Sequence, residues 1–134
     1  MARRSANRLG ELERAVMEVL WERRAPATAR DVARALVDRD LAYTTVMTVL
    51  DRLTKKGFVG RERTGRAWSY TAAASREAYV SGLMLDALDD TGDRAAALVR
   101  FARSVSSPEA EVLRGALAEA GDSRKDAEGG PGQG

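Results

Sequence analysis

Apolar residues recur along this chain at helical spacing, then at alternating spacing, then at helical spacing again. Leu12, Ala15, Val16, Val19 and Leu20 share one face of a helix predicted over residues 9–23, with Trp21 beside them. Pro26 lies just beyond, where a helix interior would not tolerate its ring or its missing N–H. Thr28 and Asp31 stand at capping-box spacing and open a second helix that buries Val32, Ala35 and Leu36. A polar connection over 38–41 leads to a third helix over 43–56, whose apolar stripe is Val46, Val49, Leu50 and Leu53. Gly57 supplies the left-handed residue that ends it.

The period then changes to that of strands. Residues 58–63 and 67–72 flank Thr64-Gly65-Arg66, a hairpin signal, and Trp68 and Tyr70 fall on one strand face, expected toward the core. Helices resume with Ser75 as a cap and Val80, Leu83, Met84, Ala87 and Leu88 in series. Thr91-Gly92-Asp93 interrupts, and Leu98, Phe101, Ala102 and Val105 form the next stripe. Ser107 as N-cap, Pro108 at the first helical position and Glu109 in the first turn start a last helix. Its apolar positions are Val112, Leu113, Ala116 and Leu117, and it is expected to stop at Gly121.

Three helices followed by a hairpin are the order of a winged helix-turn-helix, with the third helix as the reading element and the hairpin as the wing. The predicted class is mainly α with a small β-hairpin. A winged helix domain spans 1–73, a three-helix dimerisation domain 74–121, and a polar, glycine-rich tail 122–134 is expected to be disordered. Three helices in so few residues bury little core alone, so their stripes (Val80, Leu83, Met84, Leu88, Leu98, Phe101, Val105, Val112, Leu113 and Leu117) need a partner surface. A second copy of the chain is one such surface. The alternative is that these helices fold back onto the first domain.

Charge sharpens this picture. Residues 1–72 carry fifteen Lys and Arg against nine Asp and Glu, whereas 73–134 carry seven against eleven. A basic front half and an acidic rear half fit a polyanion-binding module joined to an assembly module. The absence of His and Cys removes the usual general base, thiol chemistry and thiolate metal sites, so no enzyme, metal or cofactor is expected. No apolar run is long enough to cross a bilayer, and no signal-type segment follows the basic start. The expected location is cytoplasmic, without direct membrane association.

On the third helix, Thr44 and Thr48 point away from the apolar stripe, with Met47 and Arg52 on the flank. Short hydroxyl side chains there suit base edges and thymine methyls in a major groove. Tyr43 and Thr45 lie in the first turn, where backbone N–H groups favour a phosphate. Lys55 and Lys56 near the helix end supply general attraction, and Arg61, Arg63 and Arg66 make the wing basic. The plainer reading of the wing arginines is as charges that keep an edge strand soluble.

The chain resembles the penicillinase repressor family (BlaI/MecI type), most closely its actinobacterial members. The likeness is carried by residues 9–17, Trp21, the block Leu41-Ala-Tyr-Thr-Thr-Val-Met-Thr-Val-Leu50, Arg52-Leu53, Lys55-Lys-Gly-Phe58, Tyr70 and the segment from Ala97 through Phe101 to Leu117. It implies a homodimeric repressor that binds dyad operators in double-stranded DNA, often with TACA/TGTA cores, upstream of β-lactamase or related resistance and cell-envelope genes. It also implies release by proteolysis, by a membrane-bound sensor metalloprotease or its downstream protease, at an Asn-Phe bond in the fifth helix. Arg100-Phe101 stands at that place here, keeping the aromatic residue but not the asparagine. A copper-responsive branch uses a C-terminal cysteine motif, which this cysteine-free chain lacks. From a different class, a winged helix used as a protein-docking adaptor also fits a basic wing.

Overall fold

The computed structural model describes residues 8–128. In order, these form α1 (Glu11–Glu22), β1 (Ala27–Thr28), α2 (Ala29–Ala35), a 3-10 turn (Val37–Arg39), α3 (Tyr43–Lys56), β2 (Val59–Thr64), β3 (Ala67–Ala72), α4 (Arg76–Leu88), α5 (Arg94–Ser104) and α6 (Ser107–Glu128). The class is mainly α with one small antiparallel sheet, ordered β1-β3-β2.

The chain forms two units, one ending at Ala87 and the other beginning at Leu88. The first is a winged helix with its own core. Met17, Val16, Val32, Val46, Leu50 and Leu53 are its most deeply buried large side chains, drawn from the apolar stripes of α1, α2 and α3. Thr28 Oγ1 accepts from the Asp31 N–H at 3.2 Å and the Asp31 carboxylate accepts from the Thr28 N–H at 3.0 Å, so the capping box forms as spaced. Ala35, expected in the core, is exposed, because α2 ends there and the chain turns at Leu36. At the end of α3 the Phe58 N–H reaches the Leu53 carbonyl at 3.0 Å and the Gly57 N–H the Thr54 carbonyl at 3.1 Å. This is a Schellman motif, and the φ of 87° at Gly57 is the left-handed conformation it requires.

The sheet has a third strand that the alternation did not reveal. β1 is only two residues long, too short for a period, and its Ala27 pairs with Tyr70. Pairing of Thr64 with Ala67 closes the wing around Gly65-Arg66. A φ of 64° at Gly65, not repeated at Arg66, is the pattern of a type II′ turn.

α4 belongs to the first unit, so the boundary falls later than residue 73. Arg76 pairs with Glu18 of α1 through Nε at 2.9 Å. The Trp21 indole N–H donates to the Ala74 carbonyl at 3.0 Å, and the Leu9 N–H donates to the Tyr79 hydroxyl at 2.9 Å. Phe58 and Trp21 both lie against the Tyr79 ring. The side chain that ties α4 to the core is therefore Tyr79, while Val80 and Met84 of the expected stripe are exposed.

In the second unit Asp93 caps α5, accepting from the Ala96 N–H at 3.0 Å. The last helix starts one residue earlier than expected. Ser106 is its cap, its hydroxyl accepting from the Glu109 N–H at 3.3 Å while the Glu109 carboxylate accepts from the Ser106 N–H at 2.8 Å. The Ser106/Glu109 spacing is a capping box, which a proline at the second helical position does not disturb. α6 also continues to Glu128, through Gly121 and into the segment read as a disordered tail. Gly121 has no positive φ, so it terminates nothing and only lowers the local helix propensity. Residues 129–134 of that expected tail lie outside the described residues, as do the first seven of the basic start.

Candidate nucleic-acid interface

The outward side of α3 is built by the same period that builds its core stripe. Tyr43, Thr44, Met47, Thr48, Asp51, Arg52 and Lys55 are all exposed, and Thr45 is half-buried on the flank. α3 begins without a side-chain cap on Ala42. The Thr48 hydroxyl donates to the Thr44 carbonyl at 2.9 Å. Its proton is thus engaged, leaving the lone pairs and the methyl group to face outward.

The two lysines at the end of α3 have different surroundings. Lys55 pairs with Asp51 at 3.1 Å one turn back, both well exposed. Lys56 turns the other way, onto α1. Its ammonium donates to the Glu13 carboxylate at 2.8 and 3.2 Å, and Glu13 is the one buried charged residue among those described. Burial works to raise the Glu13 pKa, but the Gly10 N–H, the Lys56 ammonium and the nearby Arg52 charge outweigh it and hold the carboxyl below its ordinary value. Lys56 therefore fastens α3 to α1.

The wing carries Arg61, Arg63 and Arg66. The register pairs Arg61 with Tyr70 and Arg63 with Trp68, so these four share one sheet face with Val59. The base of that face, Val59 and Tyr70, is in the core. Nearer the tip the same face overhangs the helices, and Trp68 is 36% exposed, which corrects its expected place in the core. The Arg61 and Arg63 guanidiniums lie 4.3 and 5.4 Å from its ring centroid. Arg30 of α2 lies 5.3 Å over the Tyr43 ring. Between α3 and the wing is a cleft of about 360 Å³, bordered by Arg30, Tyr43, Met47, Arg66, Trp68 and Tyr70. The α3 face and the wing tip thus border one surface. Arg30 and Trp68 join it unforeseen.

A family model for the penicillinase repressor matches residues 9–119. The chain belongs to the penicillinase repressor family. Its similarity to the transcriptional regulator BlaI of Mycobacterium tuberculosis, in strains CDC 1551 / Oshkosh and ATCC 25618 / H37Rv, is 55% identity over 116 residues, 84% of each chain. It is a transcriptional regulator of that type, and its relatives are regulators rather than enzymes. Among solved structures it is similar to a probable transcriptional regulator from Pseudomonas aeruginosa (24% identity, TM-score 0.49, 89% of this chain and 83% of that one). Another is the homodimeric winged helix-turn-helix DNA-binding domain of Mb0332 from Mycobacterium bovis (20%, TM-score 0.48, 69% and 81%).

The residues assigned to assembly are spread over α4 (Val80, Leu83, Met84, Leu88), α5 (Leu98, Phe101), the link after it (Val105) and α6 (Val112, Leu113, Leu117). None is buried. Arg100 and Phe101 are exposed in the middle of α5. No helix of the described residues is long and apolar enough to cross a membrane.

Proposed function

We propose that this penicillinase-repressor-type regulator is a homodimeric repressor that reads palindromic operators, with α3 in the major groove and the wing on the adjacent backbone. The observation that carries the reading is the outward face of α3. The exposed Thr44 side chain and the exposed Thr48 side chain, its hydroxyl proton held by the Thr44 carbonyl, face outward there, flanked by Arg52 and by wing arginines without a carboxylate partner among the described residues. Such groups read base edges, and the arginines supply the charge that phosphate requires.

The dimer is supported by the second unit, in which no described residue is buried although Leu98, Phe101, Val112 and Leu117 are large and apolar. A second copy would cover them. The genes under control are β-lactamase or related resistance and cell-envelope genes. Release would follow cleavage of α5 at Arg100–Phe101 under a membrane sensor metalloprotease. The test is binding to a duplex carrying a TACA/TGTA inverted repeat, expected at nanomolar protein with scrambled DNA competing poorly. Equal affinity for dyad and scrambled duplexes would refute the repressor reading and favour the adaptor.

A further inference from the structure

We infer that the cleft between α3 and the wing lies along the sugar–phosphate backbone of one DNA strand, and that Trp68, which borders the cleft, is the positioning residue that holds Arg61 and Arg63 on the wing beside it, outside the cleft's own lining. The inference rests on the operator reading and adds two residues, Trp68 and Arg30, that reading did not use.

The placement of Trp68 is the first reason. An indole left over a third exposed on a two-stranded wing forgoes much of the apolar burial that usually places tryptophan inside. Two guanidiniums lie over it instead, at 4.3 and 5.4 Å. Cation–π attraction holds each arginine, but it brings two like charges to one ring. Neither charge is balanced locally. Among the described residues Arg61, Arg63, Arg66 and Arg30 form no ion pair, whereas Arg14, Arg23, Arg39 and Arg76 all do. Glu62, between the two arginines in sequence, pairs in register with Ser69 on the opposite sheet face. An anion from outside the chain is what completes the cluster.

The chemistry of the cleft says which anion. Its floor is aromatic and thioether, from Tyr43, Trp68, Tyr70 and Met47, and Arg30 and Arg66 bring charge to it. No carboxylate borders it. Apolar surface alternating with cations matches a chain of deoxyribose faces and phosphates. The cleft also adjoins α3 at Tyr43 and Met47, beside the threonines assigned to base edges, so the backbone flanking those bases is within its span.

The experiment uses the full chain and a labelled duplex carrying the inverted repeat. With excitation beyond the tyrosine absorption band only Trp21 and Trp68 emit, so comparison with Trp68→Phe isolates the wing tryptophan. Saturating duplex is expected to change the emission and lower the acrylamide quenching of the unsubstituted chain, and to leave Trp68→Phe nearly unchanged. Trp68→Leu is expected to weaken the duplex about tenfold, and Trp68→Phe, which keeps a ring face, to recover most of that. In an Arg61→Ala/Arg63→Ala background the cost of Trp68→Leu should shrink to about threefold, because its guanidinium partners are gone. A bound duplex that leaves Trp68 emission and quenching unaltered would overturn the inference alone. So would an equal Trp68→Leu cost in both backgrounds. Failure to bind any duplex would overturn the operator reading and this inference with it.

Discussion

Replacing Lys56 by methionine should destabilise the winged helix while leaving DNA affinity nearly intact. The side chain of Glu13 is 7% exposed and that of Lys56 33%, and they meet at 2.8 Å. A fully exposed pair contributes under about 1 kcal/mol, whereas breaking a buried one costs about 3–5 kcal/mol because a charge is stranded. This pair lies between those limits. Glu13 would keep the Gly10 N–H at 2.8 Å, which offsets part of the loss. A cost of about 2 kcal/mol follows, or a fall in melting temperature of roughly 8–16 °C for a unit of this size. Thermal denaturation followed by circular dichroism measures it. Glu13→Leu combined with Lys56→Met should recover part of the loss, since neither charge is then stranded. Operator affinity, read well below the melting transition, should change less than about threefold, because the Lys56 ammonium is turned onto α1. A Lys56→Met chain within about 0.5 kcal/mol of the parent, or one that loses operator affinity while keeping its stability, would refute the reasoning.

The same carboxyl gives a pH dependence. Its folded pKa lies below the ordinary 4.5, so its stabilisation is complete above that value and is lost as pH falls through the folded one. Lys56→Met should raise the pH midpoint of acid unfolding, as read by circular dichroism; an unshifted midpoint would contradict the pairing. Thr48→Val, which keeps a methyl group, should retain operator affinity better than Thr48→Ala, which loses about fivefold, and equal losses would return the role to the hydroxyl. Arg66→Ala should lower the log–log salt slope of binding by about 0.9 in a titration of affinity against salt, and an unchanged slope would remove the wing tip from the backbone contacts. A chain ending at Ala87 should still melt cooperatively but lose most of its affinity for the dyad, which calorimetry and duplex titration together would show.

Much of the outward face of α3 was legible because one helical period specifies both sides of the helix. Placing Val46, Val49, Leu50 and Leu53 inward leaves Thr44 and Thr48 outward, and Gly57 fixes where the helix ends. Other features depend on contacts that no local pattern encodes. β1 is a strand only because Ala27 meets Tyr70, forty-three positions away in sequence. Lys56 looks like any cation at a helix C-terminus until α1 brings Glu13 beneath it. Trp68 obeys the alternation and lies on the core face, yet the wing outreaches the helices that would cover it. Gly121 carries a stop signal that works only in a left-handed conformation, and the helix simply passes through. α4 shows the limit most clearly, since Tyr79 rather than its aliphatic stripe finds the core.

The division between the two units bears on how repression would be released. Every buried hydrophobic side chain described lies between Leu9 and Tyr70, and α4 is fastened to that core by Arg76, Tyr79 and the Ala74 carbonyl. A cut at Arg100–Phe101 would therefore leave the reading domain folded. What it would remove, in the proposed dimer, is the means by which two copies act together. Two joined domains bind a dyad with an effective local concentration that separate domains lack, and the loss of that term alone weakens binding by orders of magnitude. The bond itself lies inside a helical turn, and a protease needs extended chain, so α5 must open first. Within its own chain α5 buries no side chain, so little intrachain packing resists that opening. In the proposed dimer, a partner's cover over Leu98 and Phe101 would then set the cost. On this reasoning one set of contacts governs both operator affinity and resistance to cleavage, and a dimer bound to its dyad, being the most tightly associated, would be cut more slowly than a free one.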